Sequence, residues 1–192
     1  MINALVLRGP EASKRAFDTY REARREAGLP QPGTDRFAYA ALCYVGDTDE
    51  EGLRVGSKTL WFLNTSLKQA PQFSRLMPGR QPPEVTAQNY RTQPRPGAQA
   101  VRRPADSLIG INAEQAIARG ILCAGNPDTV YKQIMDIYDK VGGFGHFIFI
   151  GRSGFLDHQE AEKGIRLLAK EVLPRLPAAT PTPAAEPARA AE

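Results

Sequence analysis

The stretch "CAGNPDTVYKQIMDIYDKVGGFGHFIFIG", Cys123 to Gly151, constrains the fold most. Asn126 has the chemistry of a helix N-cap, Pro127 suits the first helical turn, and Asp128 favours the positive end of the helix dipole. Val130, Ile134, Ile137 and Tyr138 recur at helical spacing and predict one buried face. "GGFG" ends the helix. "HFIFI" then reads as a continuous apolar strand of the kind buried on both faces of a sheet. A capped amphipathic helix delivered into a buried strand is one αβ unit.

The same alternation runs upstream. "INALVL", Ile2 to Leu7, reads as a strand, and Ser13 as a cap for the helix after it. Ala16, Phe17, Tyr20, Ala23 and Ala27 share a face of that helix, and Gly28 suits its C-cap. "RFAYAALCYVG", Arg36 to Gly46, predicts a second strand. Thr48 and Glu51 have capping-box spacing before a helix carrying Leu53, Leu60, Trp61, Leu63 and Leu67, which Gly52 and Gly56 weaken. From Pro71 to Pro104 the periodicity dissolves into a proline-rich segment, too long for an ordinary connection. "ADSLIGINAEQAIARG" predicts a helix with Asp106 as cap and Gly120 as stop. "ILCAG" predicts a short third strand. Asp157 and Glu160 again have capping-box spacing, ahead of a helix with Ala161, Ile165, Leu168 and Val172 inward. Residues 177–192, rich in Pro and Ala and without a large apolar side chain, predict a disordered tail.

Composition narrows the classes. A chain of 192 residues supports one domain with a real core. The net charge of +4 is modest, and the basic run from Ser13 to Gly28 alternates with acids, which reads as a solvated helix face rather than a nucleic-acid surface. Cys43 and Cys123 sit in apolar runs without metal-site spacing, so they read as buried free thiols. No apolar run approaches the ~20 residues that span a bilayer, and no signal-peptide pattern precedes the first strand. A cytoplasmic protein without membrane partners is the expectation.

Apolar strands alternating with helices predict an α/β fold with a parallel sheet. A doubly wound sheet and a (β/α)8 barrel are the two standard forms. No GxGxxG follows the first strand and no GxxxxGK[ST] occurs, while three or four strands fall short of a barrel's eight.

Gly125, Pro127, Asp128 and Val130 form a Gly-x-Pro-Asp-x-Val helix start, followed by the GGFG turn and a closing helix ending in "EVLPRL". With "YREARREAGLP" and "ALCYVGDTDEEG" upstream, this order resembles the C-terminal portion of bacterial-luciferase-like flavin-dependent monooxygenases, over Ile2 to about Leu176. The resemblance implies part of a (β/α)8 barrel in residues 1–176, with an irregular insertion at about 71–104 and the first strands absent: a truncated or split member. It further implies reduced FMN, with deazaflavin F420 as the alternative, oxygen as co-substrate, and a small organic substrate. A flavin reductase, a homo-oligomer or a chain supplying the missing barrel half are the implied partners. A non-catalytic flavin-binding or partner-completing half-barrel is the competing reading.

Barrel active sites gather at the C-terminal ends of strands. Arg8 and Gly9 after the first strand, and Arg152 and Ser153 after the last, are therefore the cofactor-binding candidates, with chemistry to hold a phosphate or a substrate carboxylate; solvent-facing loop residues are the alternative. His146 is the weak candidate for acid–base work, against a role as a hydrogen-bonded structural histidine. His158 reads as exposed, and "AGNPDTV" as a structural cap rather than an anion site. Trp61 and Phe62, with Phe73 and Met77, either line an apolar pocket or pack.

Overall fold

A computed structural model describes residues 2–3, 9–61, 84, 108, 110–153 and 155–183. The chain forms two compact units, one of Met1–Trp61 with Asn112–Glu192 and one of Phe62–Ile111. The expected insertion belongs to the second unit, and apart from Glu84 it lies outside the described residues, as do Asp106, Phe62, Phe73 and Met77.

The first unit is α/β. Its elements are β1 (Ile2–Asn3), α1 (Gly9–Glu26), β2 (Ala38–Val45), α2 (Asp49–Gly56), α3 (Ala113–Ala118), β3 (Leu122–Gly125), α4 (Pro127–Val141), β4 (His146–Ile150) and α5 (His158–Leu167). All three strand pairings are parallel, as the uniformly apolar strands predict. β2 is the hub. Leu42 pairs with Leu122 of β3 and with Ile150 of β4, and a strand residue has one neighbour per edge, so β3 and β4 flank β2 on opposite sides. Ala38 pairs with both Ile2 and His146, which sets β1 on the β3 side.

Period-two alternation divides β2 between two cores. Tyr39, Ala41, Cys43 and Val45 join Cys123, Phe17 and the Val130, Ile134, Ile137 and Val141 stripe of α4. Tyr44, on the other face, joins Val55, Leu156 and Ala161. Each fully buried aliphatic in the α4 stripe contributes about 1.5–3 kcal/mol relative to exposure. The caps of α4 are as expected: Asn126 Oδ1 accepts the Thr129 N–H at 2.9 Å, Pro127 starts the helix, and Gly142 turns out of it at φ 77°.

Several expectations are corrected. Among the described residues β4 pairs only with β2, and it is not buried on both faces: Ile148 is 39% exposed and His146 is exposed. Its apolar run reflects one face on the larger core, through Phe147 and Phe149, and a second face left half open. The helix directly before β3, Ala113–Ala118, is capped by Asn112, which with Gln115 makes a reciprocal capping box, two residues after Gly110 turns the chain at φ 80°. Ser13 does not cap α1; the helix starts at Gly9, and Ser13 Oγ donates back to the Gly9 carbonyl at 3.0 Å. Ile165 is 41% exposed while Leu168 and Val172 are buried: the inward face of α5 runs through Ala161 and Gly164, where a Cβ would lie 2.8 Å from the Tyr44 ring, and continues into a π-helical turn at Leu168–Val172. Gly52 and Gly56 do more than weaken α2. A Cβ on Gly52 would lie 2.4 Å from the Gly125 carbonyl oxygen, and one on Gly56 would lie 2.8 Å from Ala124 Cβ, so both let α2 sit directly on β3. The Pro/Ala segment begins docked: residues 177–183 are described and hydrogen-bonded to the turn before β2.

Candidate functional site at the C-terminal ends of the strands

Three segments leave the C-terminal ends of the sheet: Gly46–Asp47 after β2, Asn126 after β3, and Gly151–Ser153 after β4. Ligands of parallel sheets bind at this end. Thr48 caps α2 by accepting the Glu51 N–H at 3.1 Å. The Glu51 carboxylate reaches back one residue further than a capping box would, to the Asp47 N–H at 2.9 Å. Asp49 caps a second helix. It accepts the Asn126 N–H at 2.8 Å, and that amide, with the Thr129 hydroxyl, holds its carboxyl below the usual carboxylate range. Asp157 and Glu160 close a full capping box on α5. These three helix N-termini therefore carry their own acceptors, each with a carboxylate alongside, and repel an added phosphate. The structural reading of "AGNPDTV" is the one the geometry supports.

Lys163 of α5 bridges Asp47 at 2.7 Å and Glu51 at 2.6 Å. Those two carboxylates push its ammonium pKa well up. Lys58 pairs with Glu160. Lys163 and Lys58 are thus committed to carboxylates, while Arg152, in the loop after β4, is exposed and has no partner among the described residues. Ser153 Oγ donates to the Thr59 carbonyl at 3.2 Å, drawing the loop after β4 against residues 57–61. That contact accompanies the packing of Trp61 on Phe155, with ring centroids 5.2 Å apart. The pair is open to solvent, 41% and 68% exposed respectively. The loop after β4 thus carries both Arg152 and Phe155, one half of the exposed aromatic pair, residue types suited to a flat anionic ligand.

The other candidates lie elsewhere. Gly9, buried at the start of α1, packs on the Arg119 carbonyl, where a Cβ would lie 2.8 Å from the oxygen. Arg119 leads into β3, so Gly9 sits at the entry end of that strand, away from Arg152 and Ser153. Arg8 lies outside the described residues. His146 opens β4, and its Nε2 meets the Asp35 carbonyl at 3.0 Å, also at the entry end. His158 is the exposed first residue of α5. The structure brings together Arg152 and Ser153, and neither Gly9 nor His146 joins them.

Tyr44, near the exit of β2, was not singled out by the sequence. Its hydroxyl is buried without a hydrogen-bond partner among the described residues, and burial, with Glu51 nearby, raises its pKa. A tyrosine in a buried strand gives no sequence signal of whether its hydroxyl is satisfied. Cys43 and Cys123 are opposite each other in register, both free and buried; burial pushes the Cys123 thiol up to about 12. Among the described residues no cluster of metal-ligand side chains occurs, and no helix is long and apolar enough to cross a membrane.

No protein-family model and no curated protein matches the sequence. Solved structures do. Monooxygenase RslO1 from Streptomyces bottropensis aligns with 91% of this chain and 40% of its own, at TM-score 0.58 and 18% identity. The oxygenating constituent of 3,6-diketocamphane monooxygenase from Pseudomonas putida, a type II Baeyer-Villiger monooxygenase in complex with FMN, aligns with 92% of this chain and 42% of its own, at TM-score 0.57 and 24% identity. A coenzyme F420-dependent tetrahydromethanopterin reductase from Methanopyrus kandleri aligns more loosely, at TM-score 0.45 and 16% identity, and carries no weight on the cofactor. The chain spans about two-fifths of the length of the two monooxygenases. The fold is therefore that of part of a luciferase-like monooxygenase chain, an incomplete barrel with four parallel strands in one sheet among the described residues.

Proposed function

We propose that this chain is part of a flavin-dependent monooxygenase or related oxidoreductase acting on a small organic substrate, with FMN as its cofactor. The observation that carries this reading is the fold shared with an oxygenase whose structure holds FMN. Residues 1–176 are the barrel portion in this proposal, interrupted by the insertion at about 71–104. F420 is the alternative cofactor, by the sequence resemblance.

The rim fits FMN through a small set of residues. Arg152 would meet the phosphate, because it is exposed in the loop after β4 and has no partner among the described residues. Trp61 and Phe155 offer the flavin ring or an apolar substrate a face that sheds water. Ser153 acts as a positioning residue, tying the Arg152 loop to Thr59. Bound FMN supplies the redox chemistry. Gly9 and His146, at the entry end, have structural roles in this assignment, and Arg8 remains a proposed contact.

A second reading, a half-barrel completed by a partner or by another copy, is favoured by β4. The Gln133 side chain closes the outer edge of β3 by bonding both the N–H and the carbonyl of Ala124, at 2.9 and 3.1 Å. Among the described residues β4 has no such cover, and Ile148 is half open beside its edge. An apolar strand edge of this kind invites pairing.

Titration of the purified chain with oxidised and reduced FMN, read by flavin fluorescence, tests the proposal. Saturable binding that weakens in Arg152→Ala is expected. A folded, soluble chain that binds neither form contradicts a stand-alone flavin site, and would leave the partner-completed reading to be tested by co-expression.

A further inference from the structure

The turn before β2 and the segment beyond α5 fit each other more closely than a tail lying on a surface. Gly33 has φ −73° and ψ 178°, open to any residue, so its conformation does not call for glycine. Space does. A Cβ there would lie 2.1 Å from the Thr180 carbonyl oxygen and 2.7 Å from the Pro181 carbonyl carbon. Across the slot, a Cβ on Gly145 would lie 2.7 Å from Ala179 Cβ. Two glycines without positive φ thus clear the walls for one extended segment.

The polar groups pair along its length. Asp35 N–H donates to the Thr180 carbonyl at 3.1 Å, and Thr180 N–H donates to Thr34 Oγ1 at 2.7 Å. Thr182 Oγ1 accepts from Gly33 N–H at 3.0 Å and Arg36 Nε at 3.3 Å, and donates to Asp35 Oδ1 at 2.5 Å. One hydroxyl donor and two lone pairs are all in use. Pro181 and Pro183 contribute no N–H that would need a partner, and they hold the intervening threonine extended. The Thr-Pro-Thr-Pro run is therefore pre-shaped for this slot, which lowers the entropy lost on docking.

We infer that Gly33–Asp35, Arg36 and Gly145 form a binding slot for an extended Thr-Pro peptide, occupied in cis by residues 179–182 of this chain. The slot lies at the entry end of the sheet, so it ties the segment after α5 to the turn before β2 and leaves the strand exits free. The inference does not rest on the flavin reading.

Hydrogen exchange of the full chain tests it, with β2 and α4 amides as the control for folding. The Asp35 and Thr180 amides are expected to be protected, and Thr182→Val to exchange them about tenfold faster or more while β2 and α4 stay protected. A labelled peptide of sequence AATPTPA is expected to bind saturably to the Thr182→Val chain, whose slot is vacated, and not to a Gly33→Val chain, whose slot is filled. Exchange at free-peptide rates in the unaltered chain, unchanged rates in Thr182→Val, or equal peptide binding by the two variants would each overturn the assignment.

Discussion

Replacing Gly52 by alanine sets two effects of opposite sign against each other. Gly52 lies inside α2, where helix propensity alone favours alanine by about 1 kcal/mol. The added Cβ, however, would lie 2.4–2.5 Å from the Gly125 carbonyl oxygen, its carbon and Cα. All three are backbone atoms of β3 and cannot rotate away. Overpacking costs roughly 1–3 kcal/mol, and a collision with backbone belongs at the upper end. The net expectation is a loss of about 1–2 kcal/mol, with some further loss if α2 lifts Asp49 from the Asn126 amide. Urea unfolding of the variant and the parent measures it. A variant of equal or higher stability would refute the packing argument, because propensity would then have won.

Other outcomes follow from the same geometry. Ile134→Ala, at a fully buried position of α4, is expected to cost about 2–5 kcal/mol in urea unfolding; a loss under about 1 kcal/mol would show that the larger core is loosely packed. Tyr44→Phe removes a buried hydroxyl that has no partner among the described residues and is expected to hold or raise the melting temperature; a clear drop would mean that the hydroxyl is used. Lys163→Met removes the cation that lowers the Glu51 pKa below its ordinary 4.5. A depressed carboxyl stabilises the fold above its unfolded pKa and loses that contribution as pH falls through the folded value. The melting difference between parent and Lys163→Met should therefore shrink below about pH 4.5, and a difference constant through the acid range would contradict the assignment. Cys43 and Cys123 should resist a thiol reagent at neutral pH until the chain is unfolded, and rapid labelling of the native protein would refute their burial.

Much of the fold was legible because its signals are local. The cap, stripe and glycine stop of α4 are set by neighbours along the chain, and Asn126, Pro127, Ile134 and Gly142 all take their expected places. Cross-chain relations were not legible. β4 reads as a doubly buried strand because Phe147 and Phe149 need a core; nothing in "HFIFI" says that the opposite face stays open. Gly52 reads as a weak helix residue until β3 is brought against it. The capping of α4 by Asp49, 77 positions away, has no sequence signal. Of the candidate site, Arg152 and Ser153 were found by their place after a strand. Gly9 and His146 share the residue types of such sites but fall at the other end of the sheet, because strand exits and entries are told apart only when the strands are paired in register.

Amide chemical-shift mapping of the chain titrated with FMN tests the central claim most directly. The account predicts shifts concentrated at the strand exits, over residues 46–49, 126–129 and 151–155 and at Trp61, diminished in Arg152→Ala. Shifts confined to the entry end, around residues 33–36 and 145–146, or no shifts in a folded chain, would contradict it.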